Sequence, residues 1–265
     1  MTDATLRAAA IQMNCILGDK QQNLSKAGQL IAEAVSLGAK LIVLPELFNT
    51  GYRVEEQDPD LAEPIPGTTT DWMMEQAREH DIYLVGCIME QGSPKGVVYD
   101  TAIITGPQGL IGSYRKIYLW NAELTRFCRG GEYPVFELEF GCLGMQICYD
   151  VGFPEAARTL SQKGADIIVY PSAFGMPRLY AWDIATRSRA LENGVYLIAA
   201  NRSGIEKGQT EFCGTSRIVN PKGQVLAEAV QPDQVIVADL QLSDVIKQRR
   251  EIPYLRDLLS RPALR

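Results

Sequence analysis

The 265-residue sequence contains one histidine, His80, and this scarcity excludes several kinds of active site. A zinc site built on two or three imidazoles needs more histidines than the chain has. A Ser-His-Asp or Cys-His hydrolase would have to use His80, which lies in a charged segment typical of an exposed helix end before a strand. We therefore expect acid–base chemistry to come from carboxylate, lysine, tyrosine or cysteine side chains.

The chain also lacks long apolar runs and an excess of positive charge. No stretch approaches the roughly 18 apolar residues that a membrane span requires. Residues 1–7 lack a basic segment followed by an apolar run, so no secretory signal is expected. The formal net charge of −6 repels phosphate backbones and anionic lipid, which disfavours nucleic acids and membranes as partners. These absences favour a cytoplasmic protein that acts on a small molecule.

The six cysteines include no Cys-x-x-Cys pair, and most of them lie inside apolar runs. Scattered cysteines of this kind are usually reduced, buried and structural. Hydrophobic residues make up 46% of the chain and charged residues 22%, which is the balance of a globular protein with a large core. Because no linker or low-complexity stretch divides the chain, the sequence predicts a single domain over residues 1–265.

Short β-branched apolar runs alternate with amphipathic helical patterns along the chain. The runs predict strands at 7–13, 41–44, 82–88, 100–105, 110–115, 143–148, 167–170, 195–200, 213–219, 225–229 and 234–239. The amphipathic patterns predict helices at 20–37, 70–80, 154–163 and 179–193. Turn sequences at 106–109 and 220–223 predict two hairpins.

Two parts of the chain echo one another. Residues 38–48 match residues 164–174, and each copy reads as a glycine turn, a buried strand and a proline-ended loop after an Ala-rich helix. A second echo pairs residues 81–85 with residues 194–198. Two similar α/β halves packed sheet on sheet would produce both echoes, and chance similarity between short apolar strands is the alternative.

Three predicted strand ends carry side chains that could take part in catalysis. Glu46 follows a proline that stops its strand, at the sheet edge where ligands of α/β proteins gather. Cys148 stands at a strand-to-helix junction, where a thiolate would be exposed beside backbone N–H groups that can face a reacting carbonyl. Lys116 ends a third strand. Taken singly, each has an ordinary alternative: a solvated loop acid, a buried structural cysteine or a solvated edge lysine.

Taken together, these segments resemble the nitrilase superfamily of carbon–nitrogen hydrolases. The family's three signatures stand in order as Leu44-Pro45-Glu46, Tyr114-Arg115-Lys116, and Cys148-Tyr149-Asp150 leading to Phe153-Pro154-Glu155. Segments 189–193 and 201–204 look like later family segments, and 252–257 resembles the family's C-terminal strap, placed here at about 241–265. The resemblance covers nearly the whole chain. It implies an α/β fold with two similar halves in a four-layer αββα sandwich, commonly paired into a homodimer or a higher homo-oligomer.

The resemblance also assigns roles to individual residues. It implies Glu46 as the general base and Cys148 as the nucleophile, which forms a thioester acyl-enzyme. Lys116, with the backbone N–H of Tyr149, is implied as the group that stabilises the oxyanion. Glu123 is implied as a second glutamate that positions the substrate or Lys116. Neither a metal nor an organic cofactor is expected.

The function that the resemblance favours is an amidase that releases ammonia from a small carboxamide. An N-carbamoyl (ureido) hydrolase or a nitrilase with the same three residues remains open, as does a non-catalytic binding protein that keeps the fold. Ser172 and Phe174, at the strand end equivalent to Glu46, are candidates for the wall of the substrate pocket. Two departures from the family pattern adjoin the expected entrance, because Tyr118 stands where many relatives carry histidine and Arg129-Gly130 where many carry Pro-Gly.

Overall fold

Two six-stranded sheets face each other in the computed structural model, which describes residues 5–259. In chain order, the strands of this part of the chain are β1 (Thr5–Gln12), β2 (Leu41–Val43), β3 (Tyr83–Gln91), β4 (Val98–Gly106), β5 (Gly109–Arg115), β6 (Val135–Leu138), β7 (Gly141–Met145), β8 (Ile167–Ser172), β9 (Tyr196–Asn201), β10 (Ile205–Glu206), β11 (Thr210–Glu211), β12 (Arg217–Val219), β13 (Val225–Glu228) and β14 (Gln234–Gln241). The first sheet has the order β14-β1-β2-β3-β4-β5, and the second has the order β13-β12-β9-β8-β7-β6.

Helices cover the outer face of each sheet. The helices within residues 5–259 are, in chain order, α1 (Lys20–Ser36), α2 (Asp58–Leu61), α3 (Thr68–His80), α4 (Glu123–Arg126), α5 (Pro154–Gln162), α6 (Leu179–Asn193), α7 (Ser243–Glu251) and α8 (Tyr254–Leu259). Helices α1 and α3 pack on the first sheet, and α5 and α6 pack on the second. The four layers are those of the predicted αββα sandwich, which is confirmed. No helix within residues 5–259 is long and apolar enough to cross a membrane.

The two sheets are built on the same plan. In the first sheet β1, β2 and β3 are parallel, and β4 and β5 continue antiparallel. In the second sheet β7, β8 and β9 are parallel, and β12 and β13 continue antiparallel. An antiparallel strand closes the far side of each parallel trio, β14 in the first sheet and β6 in the second. The echoed segments are β2 with β8 and β3 with β9, so the two similar halves are confirmed.

Alternation along the buried stretch of β1, residues 8–11, shows why its residues are apolar. Ala8 and Ala10 pack toward the second sheet, whereas Ala9 and Ile11 pack beneath the outer helices. Successive side chains of a strand point to opposite faces, so a strand that is covered on both faces needs apolar residues at every position. On the helix side, Ile31 of α1 is completely buried in the same outer layer.

Most predicted elements lie close to their observed bounds, with two corrections. The strand predicted at 143–148 ends at Met145, because the backbone turns into a 3₁₀ segment that begins at Cys148. The strand predicted at 213–219 begins only at Arg217, because Gly214 and Thr215 adopt positive φ angles that a strand cannot hold. Both predicted hairpins are confirmed by the pairings of β4 with β5 and of β12 with β13.

The C-terminal segment that follows β14 packs on the second half of the molecule. The C-terminal strap predicted at about 241–265 contains α7 and α8, and residues 260–265 lie outside the described part. The guanidinium of Arg249 on α7 donates to the backbone carbonyls of Ala165 and Asn193, which anchors this segment to the second half. Of the N-terminal segment 1–7, which is expected to lack a leader, only the part from Thr5 is described.

Candidate active site

The ammonium group of Lys116, just after β5, is the centre of a buried cluster of charges. Its Nζ donates to Oε1 of Glu46 at 2.5 Å and to Oε1 of Glu123 at 2.9 Å, and it lies 3.3 Å from Oδ2 of Asp100. At most 1% of any of these four side chains is exposed. Two of the three N–H donors of the ammonium are thus hydrogen-bonded to Glu46 and Glu123, whereas Asp100 is held near it by charge, without a hydrogen bond to its Oδ2.

Different elements of the first half bring these groups together. Glu46 follows β2 after the strand-ending Pro45, and Glu123 opens the short helix α4. Asp100 lies in β4, and its backbone carbonyl accepts from the backbone N–H of Lys116 at 2.8 Å. Sequence reasoning missed Asp100 as a site residue. The available signal was an aspartate inside an otherwise apolar strand, since aspartate is depleted in strands.

Glu123 is held in place by three donors. Besides Lys116, the hydroxyl of Tyr52 donates to Oε1 at 2.5 Å, and the backbone N–H of Trp120 donates to Oε2 at 2.7 Å. Burial and the nearby Glu123 carboxylate raise the pKa of Tyr52 well above its usual value, so the phenol keeps its proton and remains a donor. Tyr52 is a second residue of the site that the sequence did not indicate.

Burial and mutual charge shift the pKa values in this cluster. Burial raises the pKa of Glu46 well above its usual range, Lys116 opposes the shift, and Asp100 and Glu123 add to it. Burial by itself would lower the pKa of Lys116, but the surrounding carboxylates outweigh this effect and raise it well above the usual value. Lys116 therefore stays a cation, which suits a group that stabilises developing negative charge.

Cys148 begins a 3₁₀ turn, Cys148–Gly152, that follows β7. Its φ angle is +45°, in the left-handed region that non-glycine residues rarely adopt and that is common at functional sites. Burial raises the pKa of the thiol well above its usual value; the charge of Glu46 raises it further, and that of Lys116 lowers it. The thiol is therefore neutral at rest and requires a base before it can attack.

Asp150 ties the Cys148 turn to the segment that follows β5. Its carboxylate accepts from the backbone N–H of Ile147 at 2.9 Å, the backbone N–H of Tyr118 at 3.0 Å and the hydroxyl of Tyr114 at 2.7 Å. Burial raises the pKa of Asp150 to about 6. One carboxylate thus joins the second sheet, which carries the turn, to the first sheet, which carries Tyr114.

A cavity of about 140 Å³ opens beside Cys148. Its wall includes Tyr52, Trp120, Tyr149, Val151, Phe174 and Arg178. The predicted pocket residue Phe174 therefore lies in the wall. Ser172 lies outside it, because the side chain is completely buried and its hydroxyl donates to the backbone carbonyl of Tyr170 at 3.1 Å.

A continuous set of aromatic contacts forms one side of this cavity. Tyr149 meets Trp120 edge-on with ring centroids 4.9 Å apart, and the guanidinium of Arg178 lies 4.6 Å from the centre of the Trp120 ring. Phe153 contacts Tyr149 on one side and stacks on Tyr118 at 3.6 Å on the other. Tyr118, the residue that stands in place of the histidine of many relatives, thus supports the wall from behind.

Arg178 is the one charged residue among the described residues that line the cavity. Within residues 5–259, its guanidinium makes no hydrogen bond and no ion pair with another side chain. It rests against Gly175, where an added Cβ would lie 2.7 Å from Nη2. The group is therefore positioned between an aromatic ring and a glycine while its donors are available to a ligand.

Acid oxygens of Glu46, Asp100 and Glu123 all lie within 4.8 Å of one another, a spacing that can also bind a cation. In this cluster the ammonium of Lys116 lies between 2.5 and 3.3 Å from an oxygen of each acid. The lysine thus takes the central place that a metal ion would need. The donor set is that of an ammonium-centred cluster.

Comparisons with known proteins agree with this fold. Residues 7–250 match the carbon–nitrogen hydrolase family. The chain is 41% identical to a protein named nitrilase from Pyrococcus abyssi (95% of this chain, 100% of that one) and 35% identical to omega-amidase NIT2 of Homo sapiens (95% and 94%). A mutant amidase from Nesterenkonia sp. AN1, solved in complex with butyramide, matches with a TM-score of 0.82 at 29% identity (94% and 95%).

The fold and these matches define the class of protein as a hydrolase of carbon–nitrogen bonds. The chain belongs to the carbon–nitrogen hydrolase family, within the nitrilase superfamily. Its relatives and structural neighbours include proteins named as amidases.

Proposed function

We propose that the protein hydrolyses a small carboxamide to ammonia and a carboxylic acid through a Glu46–Lys116–Cys148 triad. The observation that carries this proposal is the buried contact between Lys116 and Glu46. The charges of these two residues both shift the pKa of Cys148, whose thiol lies at the cavity wall. A base, a cation and a nucleophile are the groups that amide hydrolysis by an acyl-enzyme requires. The amidases among the relatives and structural neighbours support the same reaction.

The proposed reaction has two chemical stages. Glu46 accepts the thiol proton of Cys148 while the sulfur attacks the amide carbon, and the resulting oxyanion is stabilised by Lys116 and the backbone N–H of Tyr149. Collapse of this intermediate breaks the C–N bond, and Glu46 returns the proton to the leaving ammonia. Water, deprotonated by Glu46, then hydrolyses the thioester and releases the acid and the thiol.

We further propose that the substrate is short and carries an anionic group. The cavity volume of about 140 Å³ accommodates only a small molecule. The guanidinium of Arg178 lines that cavity and makes no hydrogen bond or ion pair within residues 5–259, and a carboxylate is the anion whose two oxygens best match a guanidinium. A substrate with an amide at one end and a carboxylate at the other would place the amide beside Cys148 and the carboxylate beside Arg178.

Two related reactions use the same three residues. An N-carbamoyl amino acid also combines a C–N bond with a carboxylate, so Arg178 would serve a ureido hydrolase equally well. The relative named nitrilase supports hydrolysis of a nitrile. A non-catalytic binding protein is the alternative from another class.

Product analysis tests these proposals together. Short carboxamides, monoamides of dicarboxylic acids, ureido acids and nitriles are incubated with the protein and with Cys148→Ala, and ammonia and carbon dioxide are quantified. We expect ammonia without carbon dioxide from an amide, and none from the variant. Equimolar carbon dioxide would assign the protein to the ureido reaction, and activity that survives in the variant would overturn the mechanism. No turnover by the intact protein would favour the binding role.

We also propose that the protein is a cytoplasmic homodimer that pairs through α6. Tyr180, Ile184 and Leu191 share one face of that helix, and Tyr180 and Ile184 are 70% and 62% exposed. The six unpaired cysteines fit a reducing compartment. Sedimentation of the wild type and of Ile184→Glu tests the pairing: we expect a dimer and a monomer, and a monomeric wild type would contradict it.

A further inference from the structure

A carboxylate from the second half of the molecule holds the loop that carries Tyr52. Glu206, on β10, accepts from the backbone N–H of Tyr52 at 3.0 Å through Oε1 and from that of Arg53 at 2.8 Å through Oε2. Only 3% of Glu206 is exposed. Hydrogen bonds from backbone N–H groups to a carboxylate are among the stronger ones in proteins. Because each oxygen has its own N–H donor, the carboxylate fixes both the position and the orientation of the loop.

Glu206 is itself held by a buried arginine. Arg202, which follows β9, is completely buried and forms an ion pair with Glu206. Its guanidinium lies 4.6 Å from the centre of the Phe212 ring and donates to the backbone carbonyl of Cys15 at 3.3 Å. The backbone N–H of Arg202 donates to the carbonyl of Ser172, the last residue of β8, at 3.0 Å. The strand ends of the second sheet therefore determine where the Glu206 carboxylate lies.

The loop in turn places the Tyr52 hydroxyl on Glu123. That hydroxyl donates at 2.5 Å to the same Oε1 that accepts from the Lys116 ammonium at 2.9 Å. The Tyr52 ring meets Phe212 edge-on with ring centroids 6.0 Å apart, so Phe212 packs on both Tyr52 and Arg202. The tyrosine side chain is rigid from Cβ to its oxygen. A displacement of the backbone at Tyr52 would therefore move the hydroxyl away from Glu123.

Gly51 allows the loop to approach the carboxylate this closely. Its φ angle is +80°, in the left-handed region that favours glycine. A Cβ at this position would lie 3.0 Å from Oε1 of Glu206 and 2.9 Å from Cδ2 of Leu17. The loop and the carboxylate are thus fitted to one another, with no space for a side chain between them.

We propose that Glu206 is a positioning residue of the active site, which acts through Tyr52 on Glu123 and thereby on the Lys116 ammonium. This role rests on the proposed function, because Lys116 acts on the oxyanion only in that reaction. Glu206 is not one of the described residues that line the cavity, so it affects the chemical step rather than the binding of substrate. The second half of the molecule thus supplies the support for a catalytic group of the first half.

A double-mutant cycle of Glu206→Gln and Tyr52→Phe tests this role, with succinamate and butyramide as substrates. Glutamine turns an NH₂ group toward one of the two backbone N–H groups, so that two donors face each other. We expect Glu206→Gln to lower kcat by about three- to tenfold with KM within about twofold of wild type. In the Tyr52→Phe background it should change kcat by less than about twofold, because the hydroxyl that it positions is already absent.

Glu211→Gln is the matched control, because it removes an exposed carboxylate from β11, the strand that pairs with β10. We expect it to have wild-type kinetics. Two results would overturn the proposal: an unchanged kcat in folded Glu206→Gln, or a kcat that falls by the same factor with and without the Tyr52 hydroxyl. The second result would mean that Glu206 supports the fold in a general way and does not act through Tyr52.

Urea denaturation of the same four proteins provides a measurement that does not depend on turnover. We expect the effects of Glu206→Gln and Tyr52→Phe on the free energy of unfolding to be coupled, and additive effects would contradict the proposal. If the wild type hydrolyses no amide, coupled effects would refute the proposed function and retain the positioning of Tyr52. If Glu206→Gln does not fold, Glu206→Asp, which keeps the carboxylate but shortens the side chain, replaces it in both cycles, with smaller effects of the same sign.

Discussion

The ammonium nitrogen of Lys116 lies 2.5 Å from a carboxylate oxygen of Glu46, and neither side chain is exposed to solvent. The contact joins the ends of β5 and β2 within the first sheet. Because both groups are desolvated, each depends on the other for its charge, and the loss of either leaves a buried ion without its partner. The stability of the fold and the proposed reaction therefore share one pair of residues.

Replacement of Lys116 by methionine should affect stability and activity together. We expect the free energy of unfolding to fall by about 3–5 kcal/mol, because the carboxylates lose their counter-ion. We expect amide hydrolysis to fall by at least about a hundredfold, because the oxyanion loses a donor. Urea denaturation and steady-state kinetics measure the two effects. The exposed Lys95→Met is the control, and wild-type turnover by the Lys116 variant would contradict the assignment.

Tyr52→Phe tests whether Glu123 must be held in place. The substitution removes a hydroxyl that donates to Glu123 at 2.5 Å and keeps the ring in the cavity wall. We expect kcat to fall by about tenfold with little change in KM, because a hydrogen bond to a charged group contributes about 1.5–3 kcal/mol. Tyr254→Phe, on α8 and 51% exposed, is the control. Equal kinetics for the two variants would argue against the role of Tyr52.

Arg178→Gln tests the proposed anion site. We expect KM to rise by about ten- to a hundredfold for succinamate, whose carboxylate would lose a charge-assisted hydrogen bond. Butyramide, which has a methyl group in that place, should be hydrolysed equally by variant and wild type. The exposed Arg129→Gln controls for the change in overall charge. An equal effect on both substrates would show that Arg178 supports the cavity wall but does not bind the carboxylate of the substrate.

Asp150 should make the stability of the fold depend on pH. Burial raises its pKa from 3.8 to about 6 in the folded protein, so the folded state binds more protons than the unfolded state between these values. This group therefore favours folding increasingly as the pH falls from 7 to 4, by up to about 3 kcal/mol. The free energy of unfolding of the wild type minus that of Asp150→Asn should rise over this interval. A difference that stays flat or falls would contradict the shift.

Gly130→Ala tests the close approach of two backbone segments behind Lys116. A Cβ at Gly130 would lie 2.1 Å from the carbonyl oxygen of Arg115, and the Gly130 N–H donates to the carbonyl of Lys116 at 2.8 Å. We expect a loss of about 1–3 kcal/mol of stability, because the backbone must move, together with reduced activity. The neighbouring Gly131→Ala meets no atom within 4 Å and should behave as wild type. Thermal denaturation of both variants checks the prediction.

The features that could be predicted from the sequence are those that a short stretch of residues determines by itself. Glu46, Lys116 and Cys148 could be predicted as site residues because each follows an apolar run and the three stand in a recognisable order. Helix bounds were close because amphipathic periodicity depends only on the helix itself. The repeated plan of the two sheets was visible because β2 and β8 share a pattern of glycine, buried strand and proline.

Features that depend on contacts between distant segments could not be predicted. Asp100 and Tyr52 join the site only because β4 and the segment after β2 pack beside Lys116. No pattern in the sequence around either residue predicts these contacts. The strand predicted to reach Cys148 was too long because the apolar run continues after the pairing with β8 ends at Met145. Ser172 matched Glu46 by position, but a short side chain at a strand end can satisfy its hydroxyl on its own backbone.

The position of β14 at the edge of the first sheet has a consequence for folding during synthesis. This strand pairs with β1 along its whole length, from Thr5 with Gln241 to Gln12 with Gln234. During synthesis β1 emerges first, and its partner emerges only after the entire second sheet. Until residues 234–241 leave the ribosome, a buried apolar strand has one edge unpaired and open to aggregation. A nascent chain that stops short of this point carries every residue of the proposed triad but lacks the strand that closes the sheet from which Glu46 extends.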